Sequence, residues 1–199
     1  MIMVTNATTP RSLGQDSIIM DYNYGVAALY TTNGTVAWRY KSQSVFYNFL
    51  GSVYKGRLVF QDCTGVVVCL RLKDGKMLWM ESPPAIGNGK DFTTATVTVD
   101  EEGTVYSTHE YQGNIGAVTA RNIKDGALLW TKVFALPATS SAAVGYLSGV
   151  GSPRTLFVAF QANSEPEVWA ASFGAQIPSQ PGWAMALNAS SGDLFWEYE

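Results

Sequence analysis

A short apolar run, a glycine turn and a tryptophan recur four times along this chain of 199 residues. In each copy a small residue stands first, a glycine follows six places later, and a tryptophan stands four places after the glycine. The four sets are Ala28, Gly34 and Trp38; Cys69, Gly75 and Trp79; Ala120, Gly126 and Trp130; and Ala186, Gly192 and Trp196. A spacing kept four times indicates a repeat protein, and it constrains the fold far more than the function.

Each copy has the features of a β-hairpin. The turns read Asn-Gly, Asp-Gly, Asp-Gly and Ser-Gly, which favour the positive φ angles of tight hairpin turns. Apolar and β-branched residues flank these turns, as expected for strands with a buried face. A further strand is predicted upstream of three of the hairpins, at residues 57–61, 104–107 and 155–161. Each repeat is therefore predicted to be a small antiparallel sheet.

The distances between the turn glycines match the size of a propeller blade. Gly34 and Gly75 are 41 residues apart and Gly75 and Gly126 are 51 apart, against roughly 40 to 50 residues for a four-stranded blade. The last spacing is 66 residues and predicts an insertion loop at 162–183, rich in proline and small residues. We therefore predict an all-β fold, with a β-propeller domain of about four four-stranded antiparallel blades at 16–199 and an N-terminal extension at 1–15.

Composition restricts the partners that such a chain can bind. Apolar residues make up 47% of it, enough for a substantial core, and no apolar run approaches the roughly 20 residues of a membrane-spanning helix. The net charge is −3 without clusters of lysine or arginine, so nucleic acid is not an expected partner. The start of the chain resembles neither a secretory signal nor an organelle presequence, so no compartment is predicted. A lumenal or extracytoplasmic location would fit if further sequence precedes Met1.

The four copies resemble the tryptophan-docking repeat of quinoprotein, or PQQ-type, β-propellers. In that repeat a small residue is followed two places later by Asp or Asn, then by Thr-Gly or its equivalent, and then by Trp. Asn122 and Asn188 occupy the Asp/Asn place, whereas Tyr30 and Arg71 depart from the pattern. The resemblance covers nearly the whole chain from about residue 16 onward. It implies that each repeat tryptophan packs between neighbouring blades while its hairpin hydrogen-bonds to the next sheet.

Two tryptophans do not follow the repeat spacing, so they are interpreted separately from the four docking tryptophans. Trp183 precedes the fourth hairpin, and Trp169 lies in the insertion loop. Rings that recur in register with strands are more often core than a flat platform for a sugar or cofactor. Rim loops carry function in such scaffolds, so 81–92 and 162–183 are the predicted contact surfaces. Trp169 and Tyr111 are the aromatic residues predicted to contact a partner, and they would also serve a carbohydrate-binding module.

The resemblance leaves two classes of protein open. The dehydrogenases of the family hold pyrroloquinoline quinone over a tryptophan beside a metal ion, often with a disulfide between adjacent cysteines, whereas other members act as interaction scaffolds without the cofactor. This chain has no adjacent cysteines, and Cys63 and Cys69 are predicted to be free thiols. The acids at 100–102 are typical of a solvated hairpin turn rather than a metal site. His109 with Glu110 lacks the nucleophile or second ligand that catalysis would need.

These observations favour a non-catalytic scaffold that mediates protein–protein interaction in a larger assembly, with no cofactor. The alternative is part of a PQQ-dependent alcohol or sugar dehydrogenase, with PQQ and calcium held by blades outside this sequence. The resemblance implies roughly six to eight blades in a closed ring. The ring would then be completed by a longer polypeptide, by a second copy or another subunit, or the four blades would form an open arc capped by a partner.

Overall fold

The computed structural model describes residues 2–5, 25–46, 49–86, 91–111, 115–138, 140–149, 151–160 and 182–198. Within these ranges the chain forms sixteen β-strands. The strands are β1 (Ile2–Thr5), β2 (Gly25–Leu29), β3 (Val36–Lys41), β4 (Ser52–Tyr54), β5 (Arg57–Gln61), β6 (Val67–Arg71), β7 (Met77–Glu81), β8 (Asp91–Phe92), β9 (Thr98–Val99), β10 (Thr104–Tyr111), β11 (Ile115–Asn122), β12 (Leu128–Phe134), β13 (Ala143–Tyr146), β14 (Arg154–Phe160), β15 (Trp183–Asn188) and β16 (Leu194–Tyr198). Among these described residues no helix has the length and hydropathy needed to cross a membrane.

The strands form four antiparallel sheets that follow one another along the chain, named here blades 1 to 4. Blade 1 has the order β1-β2-β3, blade 2 the order β4-β5-β6-β7, and blade 4 the order β13-β14-β15-β16. In blade 3, β12, β11 and β10 are followed by two short strands, β8 and β9, that both pair with β10. β9 of blade 3 lies against β4 of blade 2 and against β13 of blade 4. The predicted all-β fold of antiparallel propeller blades is confirmed.

The start of the chain belongs to blade 1. Ile2–Thr5 pairs with Gly25–Leu29, from Ile2 opposite Ala28 to Thr5 opposite Gly25. The sequence Ile-Met-Val-Thr has the β-branched composition that suits a strand. The prediction that residues 1–15 form an extension outside the propeller is therefore wrong for residues 2–5.

A β-bulge in every blade explains the constant spacing between the turn glycine and the tryptophan. The register shifts once in each hairpin, and the shift leaves the residue before the tryptophan without a partner on the opposite strand. These bulged residues are Ala37, Leu78, Leu129 and Phe195. Each tryptophan then lies directly opposite the small first residue of its repeat, which leaves room for the indole ring.

The core is divided among the three blade interfaces. One cluster joins blades 1 and 2, a second joins blades 2 and 3, and a third joins blades 3 and 4. Trp38 belongs to the first cluster and Trp79 to the second, and Trp130 packs against the third. Because every blade is only one sheet thick, its apolar side chains are buried only where the neighbouring blade covers them.

The turn of the second hairpin departs from the repeat pattern and compensates with an ion pair. In the third and fourth hairpins the Oδ1 atoms of Asn122 and Asn188 accept a hydrogen bond from the backbone two residues on. Blade 2 has Arg71 at this place, and its guanidinium donates to both carboxylate oxygens of Asp74, at 2.8 and 2.6 Å. The hydrogen bonds from Arg71 lower the pKa of Asp74 to about 2.

We expect Arg71→Gln to raise the pKa of Asp74 toward the ordinary value of about 3.9. The ionised carboxylate is the form that the guanidinium stabilises, so this contribution to stability is present above the ordinary pKa and is lost as the pH falls toward 2. An NMR titration of the Asp74 side-chain carboxyl carbon measures both values. The control is Lys73→Gln, which removes a charge from the same turn but leaves the Arg71 contact in place. Equal midpoints in wild type and Arg71→Gln would contradict the assignment.

Candidate functional site

Three of the four repeat tryptophans dock on the hairpin of the following blade. The indole N–H groups of Trp38, Trp79 and Trp130 donate to backbone carbonyls of the next blade, at 2.9, 2.8 and 3.1 Å. The accepting residues are Leu72, Ile123 and Ala189, each three places before the turn glycine of its repeat. The same contact is thus made three times, between blades 1 and 2, 2 and 3, and 3 and 4.

The turn glycine of each following blade lies beneath the docked ring. A Cβ atom at Gly75 would lie 2.5 Å from Trp38 Cε3, and one at Gly126 would lie 2.9 Å from Trp79 Cε3. At Gly192 the distance to Trp130 Cε3 would be 2.8 Å. These glycines also have positive φ angles. Glycine and tryptophan of one repeat therefore serve different interfaces, since the glycine receives the ring of the preceding blade.

We expect Gly126→Ala to destabilise the protein by about 2–4 kcal/mol, from backbone strain at φ +78° plus the clash with the Trp79 ring. Gly56→Ala is the matched control, because Gly56 has a φ of +77° but no described atom within 4 Å of the added Cβ. The control should lose only the strain contribution, about 1–2 kcal/mol. Urea unfolding followed by circular dichroism gives both values. If the two variants lose the same stability, the ring does not press on the glycine.

Trp196 does not follow this pattern. Its side chain is 40% exposed. Its ring neighbour is Phe157 of the same blade, at 6.3 Å between centroids. Trp196 thus lacks the packing between blades that was expected of all four repeat tryptophans, because no described sheet covers this face of blade 4.

The acids at 100–102 form the predicted turn, with Glu101 and Glu102 exposed, but Asp100 is buried and joins blades 3 and 4. Asp100 is buried, and its Oδ1 accepts the backbone N–H groups of Glu102 and Thr104 at 3.0 and 2.8 Å. Its Oδ2 accepts the hydroxyl of Tyr106 at 2.8 Å and lies 3.0 Å from Nε of Arg154 in blade 4. Arg154 also donates from Nη2 to Glu102 at 2.8 Å. We call Asp100, Glu102, Tyr106 and Arg154 the acid–arginine cluster.

Burial and charge shift the ionisation of this cluster. Burial, and then the hydrogen bond to Asp100, raise the pKa of the Tyr106 hydroxyl, so Tyr106 stays neutral. The hydrogen bond to Glu102 and the charge of Asp100 raise the pKa of Arg154. The hydrogen bond from Arg154 and its charge lower the pKa of Glu102. The Tyr106 hydroxyl also lies 3.1 Å from the Ala189 carbonyl that receives the Trp130 indole. The cluster therefore fixes the same hairpin on which Trp130 docks.

The acid–arginine cluster does not fit a calcium ion of the kind that accompanies PQQ. Both oxygens of Asp100 are engaged by donors, Glu102 is paired with Arg154, and Glu101 accepts the hydroxyl of Tyr146. A hard cation needs several free oxygen ligands. In the part of the chain that the structure describes, no group of three or more His, Cys, Asp or Glu side chains could hold a metal ion. Cys63 and Cys69 are both buried, and neither forms a disulfide in the part of the chain that the structure describes.

His109 and Glu110 do not converge on one site. They are neighbours in β10, so their side chains point to opposite faces of the sheet. His109 is fully buried, with Nε2 2.9 Å from the Ser107 hydroxyl, which in turn lies 2.6 Å from that of Thr119. This geometry gives the imidazole a structural role in the sheet rather than access to a substrate.

The predicted contact surfaces on the rim are only partly described. Trp169 and the loop 162–181 lie outside the described residues, and Trp183 at the end of the predicted loop is the first residue of β15. Tyr111, predicted to contact a partner, is buried and donates from its hydroxyl to the Pro84 carbonyl at 2.9 Å. Tyr111 therefore anchors the loop that follows β7. Arg121 holds the same loop by donating to the Ser82 carbonyl at 2.7 Å.

Exposed apolar side chains recur on the outermost strands of blades 2, 3 and 4. Each of these strands begins with two exposed apolar residues, the second of which is the bulged one. We call these six exposed residues the perimeter row: Met77, Leu78, Leu128, Leu129, Leu194 and Phe195. Sequence reasoning did not single out this row, although the residue before each tryptophan is apolar in all four copies.

Successive antiparallel sheets joined by tryptophan and glycine docking define a β-propeller of the PQQ-repeat class. The family profile PQQ_2, described as outer membrane protein assembly factor BamB, matches residues 4–171. The chain belongs to this family, as the resemblance of its repeats predicted. The fourth hairpin lies beyond the matched residues but has the same bulge and turn. No match was found among curated protein sequences.

Solved structures with the same fold include BamB and two quinohemoprotein alcohol dehydrogenases. BamB from Moraxella catarrhalis is 14% identical with a TM-score of 0.57, and the match covers 88% of this chain and 42% of that one. Quinohemoprotein alcohol dehydrogenase ADHIIG from Pseudomonas putida HK5 is 17% identical with a TM-score of 0.67, covering 88% and 31%. The corresponding enzyme from Comamonas testosteroni is 16% identical with a TM-score of 0.67, covering 88% and 32%. This chain thus spans less than half the length of these proteins.

Proposed function

We propose that the chain is a non-catalytic β-propeller scaffold that binds other protein subunits within a larger assembly. The perimeter row is the observation that carries this proposal. Large apolar side chains on an edge strand are unfavourable in water, and a recurring exposed row of them is typical of a protein-binding surface. An outer edge strand also offers unpaired backbone groups to which a partner strand can add.

The structural roles of the buried polar side chains support the same proposal. The buried Asp100 and His109, which were weighed as candidates for a metal site or catalysis, make hydrogen bonds or an ion pair within and between blades. The family profile is described by the name of an assembly factor, which fits a scaffold.

Affinity purification from the native host tests the scaffold function. We expect a protein recovered in stoichiometric amount with the wild-type chain to be lost when Leu129→Glu and Phe195→Glu are combined, because two charges would have to be buried in the interface. Leu50→Glu is the control, since Leu50 is 71% exposed and lies outside the perimeter row. Recovery of the same partner with the double variant would contradict the proposal.

A second candidate function is part of a PQQ-dependent alcohol or sugar dehydrogenase. Its support is the fold that the chain shares with the two quinohemoprotein alcohol dehydrogenases, at TM-scores of 0.67 against 0.57 for BamB, and likeness at this identity concerns the fold alone. Titration with PQQ and calcium, followed by a dye-coupled alcohol oxidation assay, separates the two. Stoichiometric PQQ binding with turnover would overturn the scaffold proposal.

A further inference from the structure

The outward face of blade 4 carries a row of side chains that is covered in other blades. Ala143, Phe157, Ala186 and Trp196 lie opposite one another across the four strands. The corresponding row of blade 2 is Ser52, Val59, Cys69 and Trp79. In blade 2, the last three of these residues are buried against blade 3. In blade 4 the row ends in the exposed Trp196, and Tyr198 on the same face is 74% exposed.

Blade 1 carries the complementary half of this contact, also uncovered. Gly34 has a φ of +71°, like the glycines beneath docked rings, but a Cβ added to it would meet no described atom within 4 Å. Thr31 lies three places before Gly34, where Leu72, Ile123 and Ala189 accept an indole N–H in the other blades. Residues 30–36 of this hairpin are exposed.

We propose that two copies of the chain dock head to tail, with Trp196 of each copy lying over Gly34 of the other and donating to the Thr31 carbonyl. A second copy is the occupant because this chain itself supplies both uncovered halves, one at each end of its run of blades. The contact repeats the geometry of the three internal interfaces. Two copies of four blades would make eight, within the range of closed propellers, and the two identical contacts would close the ring.

Sedimentation velocity and light scattering of the 199-residue chain test this inference directly. We expect wild type at about twice the monomer mass of 21.6 kDa. Trp196→Ala should raise the dissociation constant at least about 30-fold, as expected for an aromatic residue at the centre of an interface. Gly34→Asn should do the same, because Asn tolerates the left-handed turn while its side chain fills the space that the ring needs.

Two further samples make the test specific. Gly56→Asn is the matched control, since Gly56 is an exposed turn glycine with φ +77° and no described atom within 4 Å of an added Cβ, and it should stay dimeric. An equimolar mixture of Trp196→Ala and Gly34→Asn should form more dimer than either variant alone, because one of its two contacts is intact. Circular dichroism checks that each variant is folded.

The head-to-tail dimer predicts a set of results that other arrangements do not predict. The proposal is supported if the dimer is lost in Trp196→Ala and in Gly34→Asn, is kept in Gly56→Asn, and is partly restored in the mixture. A wild-type monomer at tens of micromolar would overturn it and indicate that blades of a longer polypeptide cover these faces. Species larger than two copies, or dimers unaffected by both variants, would overturn it as well.

Discussion

Replacing Trp79 by alanine is expected to lower the free energy of unfolding by about 3–5 kcal/mol. The ring is 8% exposed, belongs to the core cluster between blades 2 and 3, and lies over the turn at Gly126. Its removal leaves a cavity and also leaves the Ile123 carbonyl, 2.8 Å from the indole nitrogen, without its donor. Urea unfolding followed by circular dichroism measures the loss.

Two variants in the same strand serve as controls for Trp79→Ala. Leu78→Ala changes the neighbouring bulged residue, which is exposed, and should cost no more than about 0.5 kcal/mol. Trp79→Phe keeps most of the ring but loses the indole donor, and should cost about 1–2 kcal/mol. A loss below about 1 kcal/mol for Trp79→Ala would mean that the indole does not hold the two blades together.

The hairpins could be predicted because their determinants are local. A glycine with positive φ and a tryptophan four places later lie in one turn and one strand, so residues 28–38, 69–79, 120–130 and 186–196 each contain the whole signal. The strand predicted at 57–61 is confirmed, and those at 104–107 and 155–161 correspond to β10 and β14. The bulge that accompanies each turn was not predicted, because it is visible only in the pairing register.

The environment of Trp196 could not be predicted from its repeat. Trp79 and Trp196 have the same spacing from a turn glycine, yet one is buried and the other is 40% exposed. Burial of the ring depends on a neighbouring sheet rather than on the hairpin that carries it. A local pattern therefore predicts where a docking ring stands, but not whether another blade covers it.

The acid–arginine cluster was missed for a related reason. Three acids before a glycine are typical of a solvated turn, and Asp100 does accept backbone N–H groups as such a turn requires. Its burial depends on Arg154, which is 54 positions away and comes from the next blade. Tyr111 shows the same limit, since an aromatic residue at the end of a strand gives no sign of the loop that its hydroxyl will hold.

The blade interfaces use two kinds of contact with different sensitivity to change. The tryptophan and glycine contact is repeated at three interfaces and depends on shape and burial. The acid–arginine cluster occurs at the interface of blades 3 and 4 and depends on charge. Loss of a ring removes favourable burial, whereas loss of the arginine leaves an unpaired charge in the interior. Removal of the arginine is therefore expected to lower the stability by more than the number of removed atoms alone would suggest.

Arg154→Met is accordingly expected to destabilise the protein by about 3 kcal/mol. The Asp100 and Arg154 side chains are only 1% and 10% exposed, so the carboxylate would stay buried without its cation. The N–H groups of Glu102 and Thr104 and the Tyr106 hydroxyl still donate to Asp100, which keeps the loss at the lower end of the range for a broken buried pair. Methionine retains most of the side-chain volume, and chemical unfolding measures the change.

Lys132→Met is the matched control, because Lys132 also pairs across blades 3 and 4, with Asp193 at 3.0 Å, but both side chains are exposed. That pair should contribute no more than about 1 kcal/mol. Asp100→Asn in the Arg154→Met background should recover part of the lost stability, since the amide oxygen still accepts the backbone N–H groups while no charge remains buried. If the double variant is less stable than Arg154→Met alone, the cost does not come from the unpaired carboxylate, and Arg154 instead stabilises the interface by packing.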